Sequence, residues 1–96
     1  HMGMQLIRYT SGGQYAPHVD VGCGLNDRTY TILCYLNDDF EGGSTYFPHL
    51  NCRVQPKSGR AILFPAEYLH GAEETYSGEK YVFVTWLMSA PSIEWA

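Results

Sequence analysis

His18 and Asp20 stand two positions apart in the run Tyr15-Ala16-Pro17-His18-Val19-Asp20. Side chains of an extended strand alternate between faces, so residues i and i+2 point the same way. An imidazole and a carboxylate would then lie side by side, and a third ligand would complete one face of a metal's coordination sphere. Two histidines and one carboxylate in that arrangement, with the other positions open, suit a non-haem Fe(II) site. The chain holds four histidines. His1 belongs with Met2 to what reads as the remnant of a cleaved tag and is set aside. His49, in Phe47-Pro48-His49-Leu50, reads as a solvent-exposed turn residue, and His70, in Leu69-His70-Gly71-Ala72, opens a strand-like run.

The elements that must position these side chains are strands. Eight short runs, at roughly 4–10, 14–20, 29–37, 43–47, 51–55, 60–65, 68–75 and 80–89, have strand character, and no helical period is present. Ser11-Gly12-Gly13, Gly22 to Asp27, Asn37 to Gly42, Pro56-Lys57-Ser58-Gly59 and Ser77-Gly78 separate them with turn chemistry. Gly42-Gly43 reads as turn geometry and not chemistry. Short strands at this spacing predict a sandwich or jelly roll, and eight of them a double-stranded β-helix. The expected organisation is an extension at 1–3, a β-helix core at 4–90 and a tail at 91–96. A chain of 96 residues is one small domain, which buries roughly 60–65% of the surface its unfolded form exposes.

Composition narrows the function classes. A net charge of −4 and a pI near 5.4 argue against a nucleic-acid surface. No apolar run approaches the about 20 residues that cross a bilayer, and no secretory signal is read. Cys23, Cys34 and Cys52 form neither a paired framework nor a C-x-x-C, which leans towards an intracellular, cytoplasmic setting.

Two runs reveal their faces. In Arg28 to Asn37, Thr31, Leu33 and Tyr35 share one face, with Tyr30, Ile32, Cys34 and Leu36 on the other. In the last strand Lys80, Val82, Val84, Trp86 and Met88 oppose Tyr81, Phe83, Thr85 and Leu87. Strands apolar on both faces are covered on both sides. The Ile93-Glu94-Trp95 tail, a second subunit in a homo-oligomer, or an N-terminal region is expected to cover the face bearing Ile32 and Phe83.

The ordered motifs resemble the catalytic core of Fe(II)- and 2-oxoglutarate-dependent dioxygenases, in their prolyl 4-hydroxylase-like branch. They are Tyr9-x5-Tyr15-x2-His18-x-Asp20, Thr31-Ile32-Leu33-Cys34-Tyr35-Leu36-Asn37, and Gly42-Gly43-Ser44-Thr45-Tyr46-Phe47-Pro48. Val54-x-Pro56-x2-Gly59-x3-Leu63-Phe64 and His70-x9-Lys80-x5-Trp86 follow. A lone H-x-D is a weak signal; all of these in order are a strong one. The likeness runs from residue 4 to about 89 but lacks the N-terminal helices that usually buttress the larger sheet.

The resemblance implies that His18, Asp20 and His70 bind Fe(II). 2-Oxoglutarate would take two of the remaining positions and O₂ the third, with ascorbate as an accompanying reductant. Lys80, sharing its face with Trp86, would pair with the distal carboxylate of 2-oxoglutarate. Leu33, Val82 and Trp86 would form dry walls, and Tyr9, Tyr35 and Thr45 would place hydroxyls around the cosubstrate. Tyr15 and Arg28 would contact substrate. The activity implied is hydroxylation of an unactivated C–H, foremost in a prolyl residue of a peptide or protein. A free amino acid or small metabolite is an alternative substrate. A catalytically degenerate β-helix that only binds, and a cupin-like protein with another metal, are alternatives of other classes. The short Val21 to Asp27 link, where peptide hydroxylases often carry a longer lid, suggests a smaller or more openly bound substrate.

Overall fold

The computed structural model describes residues 4–21 and 28–88. Ten strands follow in order: β1 (Met4–Tyr9), β2 (Tyr15–His18), β3 (Arg28–Tyr35), β4 (Glu41–Gly42) and β5 (Thr45–Phe47), then β6 (Cys52–Val54), β7 (Ala61–Pro65), β8 (His70–Ala72), β9 (Thr75–Ser77) and β10 (Lys80–Met88). The described residues contain no α-helix, and a 3₁₀ turn at Pro48–Leu50 carries the exposed His49. One antiparallel sheet has the order β1-β10-β3-β7 and a second the order β2-β8-β5-β6, while β4 and β9 form a separate ribbon. The chain passes repeatedly from one sheet to the other, which is the double-stranded β-helix expected from the turn spacing.

Register explains the core. Val82 pairs with Ile7 and Tyr35, and Val84 with Gln5 and Leu33, across β1-β10-β3. Tyr35, Val82, Val84 and Trp86 form the buried cluster, with Ile7, Leu33 and Val54 packed against it. The face predicted from period 2 is therefore the inner one. The sheets also meet where Phe47 of β5 and Phe64 of β7 stack edge to face at 5.0 Å. The other face of the β1-β10-β3-β7 sheet leaves Met4, Leu6 and Leu63 exposed, Leu6 at 69%. The Ile93-Glu94-Trp95 tail lies outside the described residues.

Two expected strands differ in detail, and one ribbon is new. The run expected at 14–20 ends at His18, because the Asp20 N–H turns away to the Ala66 carbonyl at 2.9 Å. The run expected at 68–75 breaks after Ala72, since the Glu73 N–H donates to Ser44 O and the Thr75 N–H to Gly13 O. The ribbon β4-β9 is additional; β4 ends on Gly42 at φ +82, where an added Cβ would lie 2.2 Å from Glu74 O.

Candidate active site

His18 closes β2 and His70 opens β8, and the two are register partners in one sheet. Their rings lie 4.4 Å apart, centroid to centroid. Each imidazole is oriented by its own local backbone: His18 Nδ1 lies 3.0 Å from Ala16 O and His70 Nδ1 2.9 Å from Tyr68 O. A carbonyl only accepts, so each Nδ1 carries the proton and each Nε2 turns a lone pair inward.

Asp20, just beyond β2, is 6% exposed. The opposite sheet fixes its carboxylate: Thr31 Oγ1 of β3 donates to Oδ2 at 2.6 Å and Trp86 Nε1 of β10 at 3.3 Å. His18 Nε2 lies 3.3 Å from Asp20 Oδ1, and His70 Nε2 lies 3.5 Å from Oδ2. The three residues present ligand atoms all within 4.8 Å of one another.

The electrostatics of this donor set fit a divalent cation. Burial pushes the Asp20 carboxyl up, but the hydrogen bond it accepts from a protonated His18, those from Thr31 and Trp86, and the nearby His70 outweigh it and hold it at about 2. Burial lowers the pKa of His70, which favours the neutral form that ligates metal. The hydrogen bond with Asp20 raises that of His18. Two inward lone pairs facing a carboxylate at 3.3–3.5 Å need a positive charge between them, and a proton on His18 or a metal ion supplies it. Phe64 packs against the His70 ring at 4.6 Å and Tyr15 against the His18 ring at 4.2 Å, so both imidazoles are wedged by aromatics.

A cavity of about 200 Å³ opens beside these ligands, walled by Ile7, Leu33, Val82 and Val84 and edged by Tyr9 and Thr45. Lys80 lies behind Tyr9, only 1% exposed. Its Nζ donates to Gly43 O at 3.0 Å and sits 4.0 Å from the centre of the Tyr9 ring. Burial brings the Lys80 pKa down to about 8. Among the described residues no carboxylate forms a salt bridge with it. Gly43 therefore contributes its carbonyl as well as turn geometry.

The hydroxyl-bearing residues divide. Tyr9 and Thr45 reach the cavity. Burial, reinforced by Tyr15 and Tyr35, pushes the Tyr9 phenol up to about 12, so it stays a neutral donor. Tyr35 is fully buried, and its hydroxyl is engaged inside the wall: it meets Thr45 Oγ1 at 2.5 Å, accepts the Thr45 N–H at 3.1 Å and donates to Val54 O at 3.2 Å. Tyr35 thus braces Thr45 and lies behind the cavity surface. Arg28 stacks its guanidinium 3.6 Å from the centre of a Trp86 ring, at the edge of the His18, Asp20 and His70 group. Two contributors were not singled out from sequence as site residues, Thr31 and Gly43. A polar residue in phase with Leu33 and Tyr35 on a buried face was the signal for Thr31; nothing local marked Gly43. Residues 22–27 of the short link lie outside the described residues.

Comparison with known proteins agrees with this geometry. The sequence profile of the 2OG-Fe(II) oxygenase superfamily matches residues 4–88. A putative prolyl 4-hydroxylase of Acanthamoeba polyphaga mimivirus is 32% identical over 86% of this chain and 43% of its own length. A prolyl 4-hydroxylase structure from Phytophthora capsici superposes with a TM-score of 0.80 at 32% identity, over 95% of this chain and 33% of that one. The viral collagen prolyl hydroxylase of Paramecium bursaria Chlorella virus-1, in its 2OG complex, gives 0.77 at 28% identity over 94% of this chain and 62% of that one. The chain thus spans less than two thirds of each of these relatives. With the profile covering nearly every described residue, and the ligand set lying inside the match, the chain belongs to the 2OG-Fe(II) oxygenase superfamily.

Proposed function

We propose that this chain forms the core of an Fe(II)- and 2-oxoglutarate-dependent dioxygenase that hydroxylates an unactivated C–H bond, in a prolyl residue of a peptide or protein. The observation that carries the proposal is the convergence of His18 Nε2, Asp20 and His70 Nε2 beside an apolar cavity backed by a buried lysine with no carboxylate partner among the described residues. Iron held by His18, Asp20 and His70 would supply oxygen activation coupled to oxidative decarboxylation of 2-oxoglutarate. The protein's part is orientation, electrostatics and exclusion of side reactions. Backbone carbonyls at Ala16 and Tyr68 keep both imidazoles in the ligating tautomer. Lys80 would receive the distal carboxylate of 2-oxoglutarate, while Ile7, Val82 and Val84 keep water from competing for that ion pair. Tyr9 and Thr45 would bond the cosubstrate, and Tyr15 and Arg28, at the edge of the ligand group, would face the substrate.

The preference for prolyl substrates is supported by the relatives named as prolyl 4-hydroxylases. The exposed Met4, Leu6 and Leu63 face would be covered by a second copy or by an N-terminal region. Anaerobic addition of Fe(II) and 2-oxoglutarate should produce a weak visible charge-transfer absorption that His70→Ala abolishes. An assay for succinate, with ascorbate present, should respond to proline-containing peptides. A response only to free amino acids would reassign the substrate, and an absence of the absorption in the unmodified protein would sink the oxygenase reading.

A further inference from the structure

We propose that the Thr75 hydroxyl is a second anchor for the distal carboxylate of 2-oxoglutarate, donating a hydrogen bond to it beside the Lys80 ammonium. The proposal rests on the reading of Lys80 given above. Thr75 opens β9, and none of its surface is exposed. Its backbone is paired on both sides: its N–H donates to Gly13 O at 2.9 Å and its carbonyl accepts the Gly12 N–H at 2.8 Å. Its hydroxyl is not paired. Among the described residues, Thr75 Oγ1 is the buried side-chain polar atom that lacks a hydrogen-bond partner. Such a group is a net cost to the fold, and valine would fill the same space without it.

Location gives the hydroxyl a use. The point that a Cβ on Gly43 would occupy lies 3.1 Å from Thr75 Oγ1 and 3.0 Å from Lys80 Cδ, and Gly43 O holds Lys80 Nζ. The unmet hydroxyl and the lysine stem therefore border the same glycine. The Gly12-Gly13 turn tied to the Thr75 backbone follows β1, whose last residue, Tyr9, covers the ammonium. A hydroxyl is free to rotate its proton towards an acceptor, and an ammonium with no counter-ion among the described residues calls for an anion. A carboxylate has two oxygens and can satisfy both donors at once. A monocarboxylic 2-oxo acid, bound only by its other end, would gain nothing from Thr75.

The test compares 2-oxoglutarate with 2-oxobutyrate, which lacks the distal carboxylate, by anaerobic equilibrium titration of the Fe(II)-loaded protein. Thermal unfolding of the ligand-free protein is measured alongside. Thr75→Val should weaken 2-oxoglutarate binding about tenfold or more, since hydrogen bonds to charged groups are the strong ones. It should leave 2-oxobutyrate binding unchanged and the unfolding temperature equal or higher. Thr75→Ser, which keeps the donor, should stay within about threefold of the parent for 2-oxoglutarate. Equal losses for both acids would make Thr75 a packing residue and overturn the proposal, as would parental 2-oxoglutarate affinity in Thr75→Val. Lys80→Ala separates the two levels of inference. If it loses 2-oxoglutarate while Thr75→Val does not, only Thr75 is misassigned; if it binds normally, the lysine reading itself is wrong.

Discussion

Thr31 reaches from one sheet to Asp20 at the end of the other and donates a 2.6 Å hydrogen bond to Oδ2. Trp86 Nε1 donates to the same oxygen at 3.3 Å. Both donors bias the carboxylate to present Oδ1 on the His18 side, so the two sheets jointly set the angle of one proposed ligand. Outer partners of this kind are worth about 10–100-fold in metal affinity. Thr31→Val, which preserves shape, should therefore weaken metal binding by about that factor, and Trp86→Phe, which removes only the weaker donor, by less. Competition titration with a chromophoric chelator measures both. Parental affinity in both variants would show that the carboxylate needs no such support.

On the proposed function, Lys80 should be the strongest single lever on cosubstrate binding. Removing one member of a buried ion pair costs roughly 3–5 kcal/mol. Since about 1.4 kcal/mol is a decade in affinity, Lys80→Ala should raise the KM for 2-oxoglutarate on the order of a hundredfold or more. An unchanged KM would remove the lysine from its assigned role.

The pH dependence of the same residue has two opposite signs. Burial lowers its pKa to about 8 in the free protein. Above that value the amine loses the charge that would pair with a carboxylate, so 2-oxoglutarate affinity should fall about tenfold between pH 7 and 9. Stability moves the other way. The unfolded chain keeps the proton up to the ordinary lysine value of 10.5, so between about 8 and 10.5 the unfolded state binds more protons and stability rises with pH. Lys80→Met should flatten both profiles, measured by titration and by denaturant unfolding at fixed pH values. If the affinity profile of Lys80→Met matched that of the parent, another group would control it.

Period-2 alternation made the site's two long strands legible from sequence. Thr31, Leu33 and Tyr35, and likewise Lys80 to Trp86, face inward as the pattern requires. The pairing of His18 with Asp20 was legible for a partly different reason. The strand ends before Asp20, and the two side chains meet because the backbone turns to Ala66, a contact 46 positions away with no local signal. Tyr35 shows the same limit. Its face followed from spacing, but the engagement of its hydroxyl by Thr45 and Val54 follows only from the packing of one sheet on the other. Thr75 was read as the end of a strand, and only the Gly13 and Gly42 pairings reveal it as the start of another beside Lys80.

Gly42 and Gly59 separate backbone conformation from close approach. Both have positive φ, +82 and +84. An added Cβ on Gly59 meets nothing within 4 Å, whereas on Gly42 it would lie 2.2 Å from Glu74 O and 2.9 Å from the Tyr76 ring. Gly59→Ala should therefore cost about 1–2 kcal/mol, the price of a left-handed conformation in a residue with a side chain. Gly42→Ala must in addition push β4 from β9, and the Gly43 N–H that donates to Glu74 O goes with it. Because Gly43 O holds Lys80 Nζ, the displacement should reach cosubstrate binding. The expected outcome is a larger loss of unfolding free energy in Gly42→Ala than in Gly59→Ala, with a raised KM for 2-oxoglutarate in the first alone. Equal stability losses and equal KM values would mean that the ribbon gives way without moving the lysine.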